Sequence, residues 1–485
     1  MMEYKWKLLI ITTIGSFMMS LDGSILNIAI FPLSGDLKVT TDIMEWIPLI
    51  YLLVMAITLI GFGRLADLKG KTKFFLLGLI IFIVGSLLSA IASSGELLII
   101  YRAIQATGAS LVAATSIAMV TEVFPKQETG KALGINVTGI YLGLVFGPVL
   151  GGLLVQFLTW RSIFYINIPI GICLVIFGYF HLKPSEVLVK EERFDFLGTL
   201  TFGVFLAALL LYLSLGNSLG WSNIIIISFL IISAIVFPIF IFIERSVKFP
   251  MLNLSLFRHN RVFAAANTAA LMNYITTMGV GFWLAIYLQS ILQFPPLMAG
   301  ILLLPSPIAM AITSPLSGRF SDRMGSRYLC ALGMCIAAVS LVILILILFL
   351  TLPIQLLFIS QAVLGFGLGL FSSPNQSAIM RSVEKRQLGI ASGTLSTMRV
   401  TGQSISIALL SSVLLAFITP ILLNQVLQSY GQPIPLPPQD IALFTNGLIA
   451  AFIVSICICV AGALLSLVRG KEELYKEMPI ETHEF

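Results

Sequence analysis

The chain has 485 residues, 58% of them hydrophobic and only 10% charged, with a mean hydropathy of +1.02. About a quarter of the residues in a soluble domain are charged, so a water-soluble globular protein is excluded and the chain reads as an integral membrane protein. A net charge of +6 suggests a nucleic-acid binder in a soluble chain; here it follows from the loops between spans, and no nucleic acid is expected.

The first apolar run, residues 8–32, is long enough to cross a bilayer. It lacks the short apolar region and small-residue cleavage site of a signal peptide, so it reads as a retained span. Within it, the stretch Leu21–Pro32 carries Asp22 and Asn27. An Asp at that depth costs roughly 2.5 to 3.5 kcal/mol on insertion scales, which makes it a functional-site candidate by default.

The second span, residues 46–66, runs into Gly63, Arg64, Leu65, Ala66, Asp67, Leu68, Lys69, Gly70 and Lys71. Glycines permit a tight turn there, and Asp67 sits at a helix end where it can meet a cation or a helix N-terminus. Lys71 is in reach of Glu122, at the far end of the fourth span. Such contacts latch one conformation, although a merely basic loop has the same composition.

Spans three and four cover residues 74–94 and 97–124, and Arg102 lies about five residues into the fourth, close to Gln105. Arg102 either snorkels to the interface or faces the interior and pairs with Asp22. The fifth span, residues 132–156, places Gly139, Gly143, Gly147 and Gly151 at four-residue spacing, with Pro148 inside the run and Gly152 after it. Residues four apart share a helix face, so this is a groove for close approach of another helix, with a bend expected at Pro148. The expected role is control of opening between halves.

The sixth span is residues 162–182. After a charged link, His181 to Asp195, come two more at 196–216 and 223–243; a second link, Glu244 to Arg261, precedes six at 262–289, 297–317, 328–350, 354–377, 389–418 and 443–468. Fourteen spans put both termini on one side. With the N-terminus cytoplasmic, Lys38 and Arg161 fall outside, Arg102 and Arg399 fall within helices, and every other Lys and Arg is inside, as the positive-inside rule requires. Arg399 is read either as snorkelling or as functional. The Pro-rich outer segment Tyr430–Gln439 reads as extended linker.

The stretch Gly318, Arg319, Phe320, Ser321, Asp322, Arg323, Met324, Gly325 repeats the Gly-Arg-Asp-Gly pattern of Gly63–Lys71. Two related halves are therefore expected: a six-helix bundle over 1–182, a link and inserted helix pair over 183–261, a second six-helix bundle over 262–468, and a tail over 469–485. Parallel halves around a midplane site are a secondary-transporter architecture.

No enzyme motif is found. The Gly-Lys pairs at Gly70, Gly130 and Gly470 have Leu65, Pro125 and Leu465 where a phosphate-binding loop needs its first Gly. Neither a His-Glu-x-x-His helix nor a Gly-x-Ser-x-Gly elbow occurs. The three histidines lie at helix ends or in the tail, and the five cysteines fall in apolar runs without metal or redox spacing. No cofactor or metal is expected.

These stretches together resemble the major facilitator superfamily, and more narrowly its fourteen-helix drug:proton antiporter family. The first-span motif matches Leu21–Pro32 with Ser24 where Thr is usual. The loop motif matches Gly63–Lys71, with Leu68 and Thr72 in place of basic residues. The fourth-span motif matches Arg102, Gln105 and Gly108, with Ala106 for a frequent Gly, and the antiporter motif matches Gly143, Gly147, Pro148, Gly151 and Gly152. Trp160–Gly171 and Gly365–Asn375 extend the similarity.

The resemblance implies a proton-coupled exporter of small lipophilic compounds, multi-pass in the plasma membrane, monomeric, and driven by the proton gradient. Coupling is assigned to Asp22 with Arg102, because Asp22 is the acid deepest in a span, and the latch to Gly63, Asp67, Gly70, Lys71, Glu122 and Asp322. Asn27, Gln105, Tyr141, Asn273, Tyr274 and Gln361 are the expected cavity residues. One deep carboxylate suits a cationic or neutral substrate. Two other readings stay open: a proton-linked uptake symporter for a metabolite, and a membrane sensor or lipid-handling protein.

Overall fold

In the computed structural model the described residues are 3–37, 41–125, 128–185, 194–248, 250, 252, 254–294, 296–350, 353–419, 422 and 437–469. Fourteen helices among them are long and apolar enough to cross a membrane, and no strand occurs among the described residues. The first half comprises α1 (Tyr4–Leu37), α2 (Thr41–Lys69), α3 (Lys71–Ala90), α4 (Gly95–Val123), α5 (Thr129–Phe157), α6 (Ser162–Tyr165) and α7 (Asn167–His181). The inserted pair is α8 (Phe196–Leu219) and α9 (Ile224–Ser246), followed by the short α10 (Leu254–His259). The second half comprises α11 (Arg261–Ile286), α12 (Pro296–Leu303), α13 (Pro305–Met324), α14 (Arg327–Phe349), α15 (Leu357–Arg381), α16 (Leu388–Leu415) and α17 (Pro438–Val468).

Two of the spans expected as single helices are broken. The sixth is divided at Ile166 into α6 and α7, and the tenth at Leu304 into α12 and α13, where Pro305 opens the new helix because its missing N–H belongs to an end that has no intrahelical partner. The Gly63–Lys71 stretch, expected as a loop, is helical through Lys69; the only non-helical residue is Gly70, with φ 99°. Arg, Leu, Ala and Lys are good helix formers, so the turn is confined to the one residue that tolerates positive φ. Gly325, with φ 79°, does the same after α13.

Within the first half α1 packs on α5, α3 on α4 and α2 on α4; within the second, α13 and α14 pack on α15, and α11 on α16 and α17. The halves meet along two seams, α5 against α13 and α2 against α16. Of the inserted pair, α8 lies against the second seam, on α2 and α16, and α9 packs on α8. α9 is apolar nearly all round yet mostly uncovered, with Ile224 79% and Phe242 72% exposed, as expected of a helix facing hydrocarbon.

Candidate functional site

Asp22 is 1% exposed, inside the first half. Its carboxylate accepts from Arg102 Nη1 (2.6 Å), Gln105 Nε2 (2.8 Å) and Asn167 Nδ2 (2.8 Å). Gln105 Nε2 also donates to Ser86 Oγ (2.8 Å), while its amide oxygen accepts from Arg102 Nη1 (2.5 Å). The guanidinium lies over the Tyr51 ring at 4.3 Å and near Phe164 at 5.8 Å. Six helices thus surround one buried carboxylate: α1, α3 and α4, with α7 through Asn167, α2 through Tyr51 and α6 through Phe164. Of the two readings for Arg102, pairing is the one realised; at 1% exposure it does not reach the interface. Arg102 Nε and Tyr51 Oη are buried without a hydrogen-bond partner among the described residues. The ion pair is held by geometry around it, and loss of one partner leaves an uncompensated buried charge.

The glycine row of α5 seats α1 beside this cluster. A Cβ at Gly139 would strike Thr13, one at Gly143 would strike Phe17 O and Leu21 N, and one at Gly147 would strike Ser24. Ser24 Oγ donates to Gly143 O at 3.1 Å. The row therefore faces α1, the helix that its groove admits, and not the other half. Gly151 is buried, Gly152 faces open space, and the Pro148 side chain lies outside the described residues.

The contacts between halves are made by an earlier register of α5. Gly130 meets Gly318 backbone to backbone, and Gly134 meets Ser314 and Pro315. Asp322, at the end of α13, accepts from Gly130 N (2.9 Å) and Lys131 N (3.1 Å), the first amides of α5, and pairs with Arg381. The second seam repeats this. Gly63 meets Gly389, Gly393 meets Leu59 and Ile60, and Asp67 accepts from Gly389 N (2.9 Å) and Ile390 N (3.1 Å), the first amides of α16. A carboxylate at a helix N-terminus satisfies unpaired amides and the helix dipole together. Lys71 Nζ bridges Asp67 (3.2 Å) and Glu122 (3.1 Å), as the spacing predicts.

Sequence reasoning missed the receiving ends. Gly130-Lys131-Ala132-Leu133-Gly134 and Gly389-Ile390-Ala391-Ser392-Gly393 share a Gly-x-Ala-x-Gly pattern, a weak signal that does not by itself single them out. Away from these clamps, at the other end of the molecule, Asp36 accepts from Trp160 Nε1 (2.9 Å) and Arg161 Nη1 (2.6 Å), and Arg161 reaches Ala92 O. The indole N–H and the guanidinium hold the Asp36 carboxyl below its ordinary range.

A small cavity of about 50 Å³ lies between the halves, lined by Tyr141, Tyr274, Gln376, Ser396, Arg399 and Gln403 with apolar side chains of α4, α5 and α16. Of the expected cavity residues, Tyr141 and Tyr274 line it. Gln105 belongs to the Asp22 cluster, Asn273 donates to Met334 Sδ inside the second half, and Gln361 is buried on α15; none of these three reaches the cavity. The Asn27 side chain is outside the described residues. Asp22 does not line the cavity either. No group of three metal-ligating side chains occurs among the described residues.

Residues 12–407 match the family model described as Major Facilitator Superfamily. The chain is 35% identical to the riboflavin transporter RibZ of Clostridioides difficile (strain 630), over 85% of this chain and 88% of that one. It is 32% identical to the multidrug resistance protein Stp of Mycobacterium tuberculosis (strain ATCC 25618 / H37Rv), over 88% of this chain and 79% of that one. Among solved structures, the human organic anion transporter MFSD10 (TETRAN) superposes with a TM-score of 0.67 at 13% identity, over 96% of this chain and all of that one. The proton:xylose symporter XylE does so with a TM-score of 0.61 at 14% identity, over 95% and 94%. A fourteen-span chain with these relatives and this family match belongs to the major facilitator superfamily.

Proposed function

We propose that the chain is a proton-coupled exporter of small lipophilic compounds, working by alternating access between its two halves in the plasma membrane, with both termini cytoplasmic. The observation that carries this reading is the Asp22–Arg102 ion pair, buried at 1% exposure on α1 and α4 and seated through Ser24 against α5, the helix whose other face docks on α13. A proton on Asp22 removes the charge that Arg102, Gln105 and Asn167 all address, so protonation is felt by α1 and through it by the seam. One proton moving through 100 mV supplies about 2.3 kcal/mol, enough for a gradient somewhat above tenfold. Relatives named as multidrug resistance proteins support the export direction.

The riboflavin-transporter relative favours a second reading, proton-linked uptake of a single metabolite. Everted vesicles separate the two: substrate-induced proton release in energised vesicles is expected for export, and proton co-entry with substrate would overturn it. Asp22→Asn is expected to keep substrate binding and lose pH-driven accumulation. Accumulation by this variant at wild-type levels against a pH gradient removes Asp22 from the coupling role.

A further inference from the structure

The cavity between the halves holds one charged side chain, and it is a cation. Arg399 lies eleven residues into α16, about 16 Å along the helix, which is near mid-membrane. Among the described residues no hydrogen bond, salt bridge or ring contact engages its guanidinium, and no carboxylate lines the cavity. A mid-membrane Arg without a counter-ion is costly and marks a pathway or ligand site. Two further side chains that carry donors line the same space. Gln376 Nε2 and Ser396 Oγ belong to side chains 5% and 1% exposed, and neither has a hydrogen-bond partner among the described residues. Buried donors without acceptors each forgo a hydrogen bond that a ligand would restore. The Tyr141 hydroxyl is already engaged with Ser372 Oγ at 2.9 Å, so this residue offers the cavity mainly its ring.

The sequence-based expectation of a cationic or neutral substrate rested on Asp22. That carboxylate is fully engaged by Arg102, Gln105 and Asn167 and lies off the cavity, so the reason for a cation is gone. What faces the substrate path is a fork of guanidinium donors flanked by an amide and a hydroxyl, the geometry that suits paired oxygens.

We propose that this cavity is a binding subsite for the acidic oxygens of an amphiphilic organic anion. Arg399 carries the charge contact, Gln376 and Ser396 donate beside it, and Tyr141 and Tyr274 lie against the apolar body. The cavity admits only a few waters at its present size, so the anion enters when the halves part and is enclosed when they close. The proposal deepens the export reading by taking the cavity as the substrate path, but it does not depend on the direction of movement or on the coupling ion.

The test uses the full-length protein in nanodiscs and two dyes of one skeleton, fluorescein as the anion and tetramethylrosamine as the cation. Equilibrium binding is expected to favour fluorescein. Arg399→Gln is expected to weaken fluorescein by roughly tenfold or more, Arg399→Lys to recover part of that, and neither change to weaken tetramethylrosamine. Ser396→Ala, which leaves the charge in place, serves as the milder variant and is expected to weaken fluorescein severalfold. Tighter binding of the cation by wild type, no fluorescein binding by wild type, or equal fluorescein affinity in a folded Arg399→Gln protein would each overturn the subsite. Transport of both dyes under a pH gradient is read separately. The predicted binding pattern without pH-driven movement leaves the subsite standing and removes the proton-coupled exporter; pH-driven movement of the cation with no bound anion does the reverse.

Discussion

At the residue scale, Asp22 and Arg102 form a pair whose value lies in its completeness. Removing one partner of a buried pair typically costs 3–5 kcal/mol because the other is left charged and unpaired, whereas removing both costs far less. Arg102→Ala is therefore expected to destabilise the protein by about that amount, and Arg102→Ala combined with Asp22→Asn to recover most of it; thermal melts of the singles and the double check this. Asn167→Ala, which deletes one donor to the same carboxylate, is expected to cost about 1–3 kcal/mol. Asp22 was legible in the sequence because a carboxylate in an apolar run has no innocuous explanation. Asn167 was not, since the direction of one amide depends on the break at Ile166 that separates α6 from α7; Pro169, in the first turn of α7, marks the break but not where the amide points.

Asp36 gives a residue-scale prediction about pH. Its carboxyl is held below the ordinary range by Trp160 and Arg161, so the folded state binds this proton less readily than the unfolded chain does. The tie is present in full above the unfolded carboxyl range, near pH 4, and is lost as pH falls through the lower folded value. Fluorescence of Trp160, isolated as the difference between wild type and Trp160→Phe, is expected to change on that acid side. In Asp36→Asn the change is expected to be absent.

At the scale of elements, α2 and α13 each end in a carboxylate that caps a helix of the opposite half, and each crossing is close enough to exclude a Cβ. Gly389→Val is expected to force α2 and α16 apart at the Gly63 crossing. The check is labelling of a cysteine at Ser396 by an impermeant thiol reagent from the side bearing the termini, which should rise over the same cysteine in the otherwise native chain; unchanged labelling would show that the seam absorbs the extra carbons. The Gly-Arg-Asp-Gly repeat announced two matching acceptors of a contact, but their being helical through Lys69 and Met324 was hidden by the habit of reading glycine as loop. The partners had to be found in space, because a Gly-x-Ala-x-Gly start is ordinary in any apolar helix.

At the scale of the whole molecule, the two clamps share no residue: Asp67 acts on α16 with Lys71, and Asp322 on α5 with Arg381. Contacts without shared partners add. Asp67→Asn and Asp322→Asn are therefore each expected to raise access to the same cysteine at Ser396, and the double variant to raise it by the sum of the two free-energy changes; an excess over that sum would mean the halves move as one cooperative unit. Fourteen spans were legible from hydropathy, because the length of an apolar run fixes them. The cavity was not, because its lining comes from five helices far apart in sequence, and of the five proposed residues whose side chains are described only Tyr141 and Tyr274 arrive there.

α5 is committed on two opposite sides. Gly130 and Gly134 abut α13, while Gly139, Gly143 and Gly147 abut α1, and in an ideal helix these registers are about half a turn apart. Between them, Leu142, Phe146, Val149 and Leu153 are 36–49% exposed. A saturation scan of this helix should accordingly trace a barber-pole of tolerance: one narrow strip open to almost any apolar residue, flanked by two strips where hydrogen alone is accepted as a side chain.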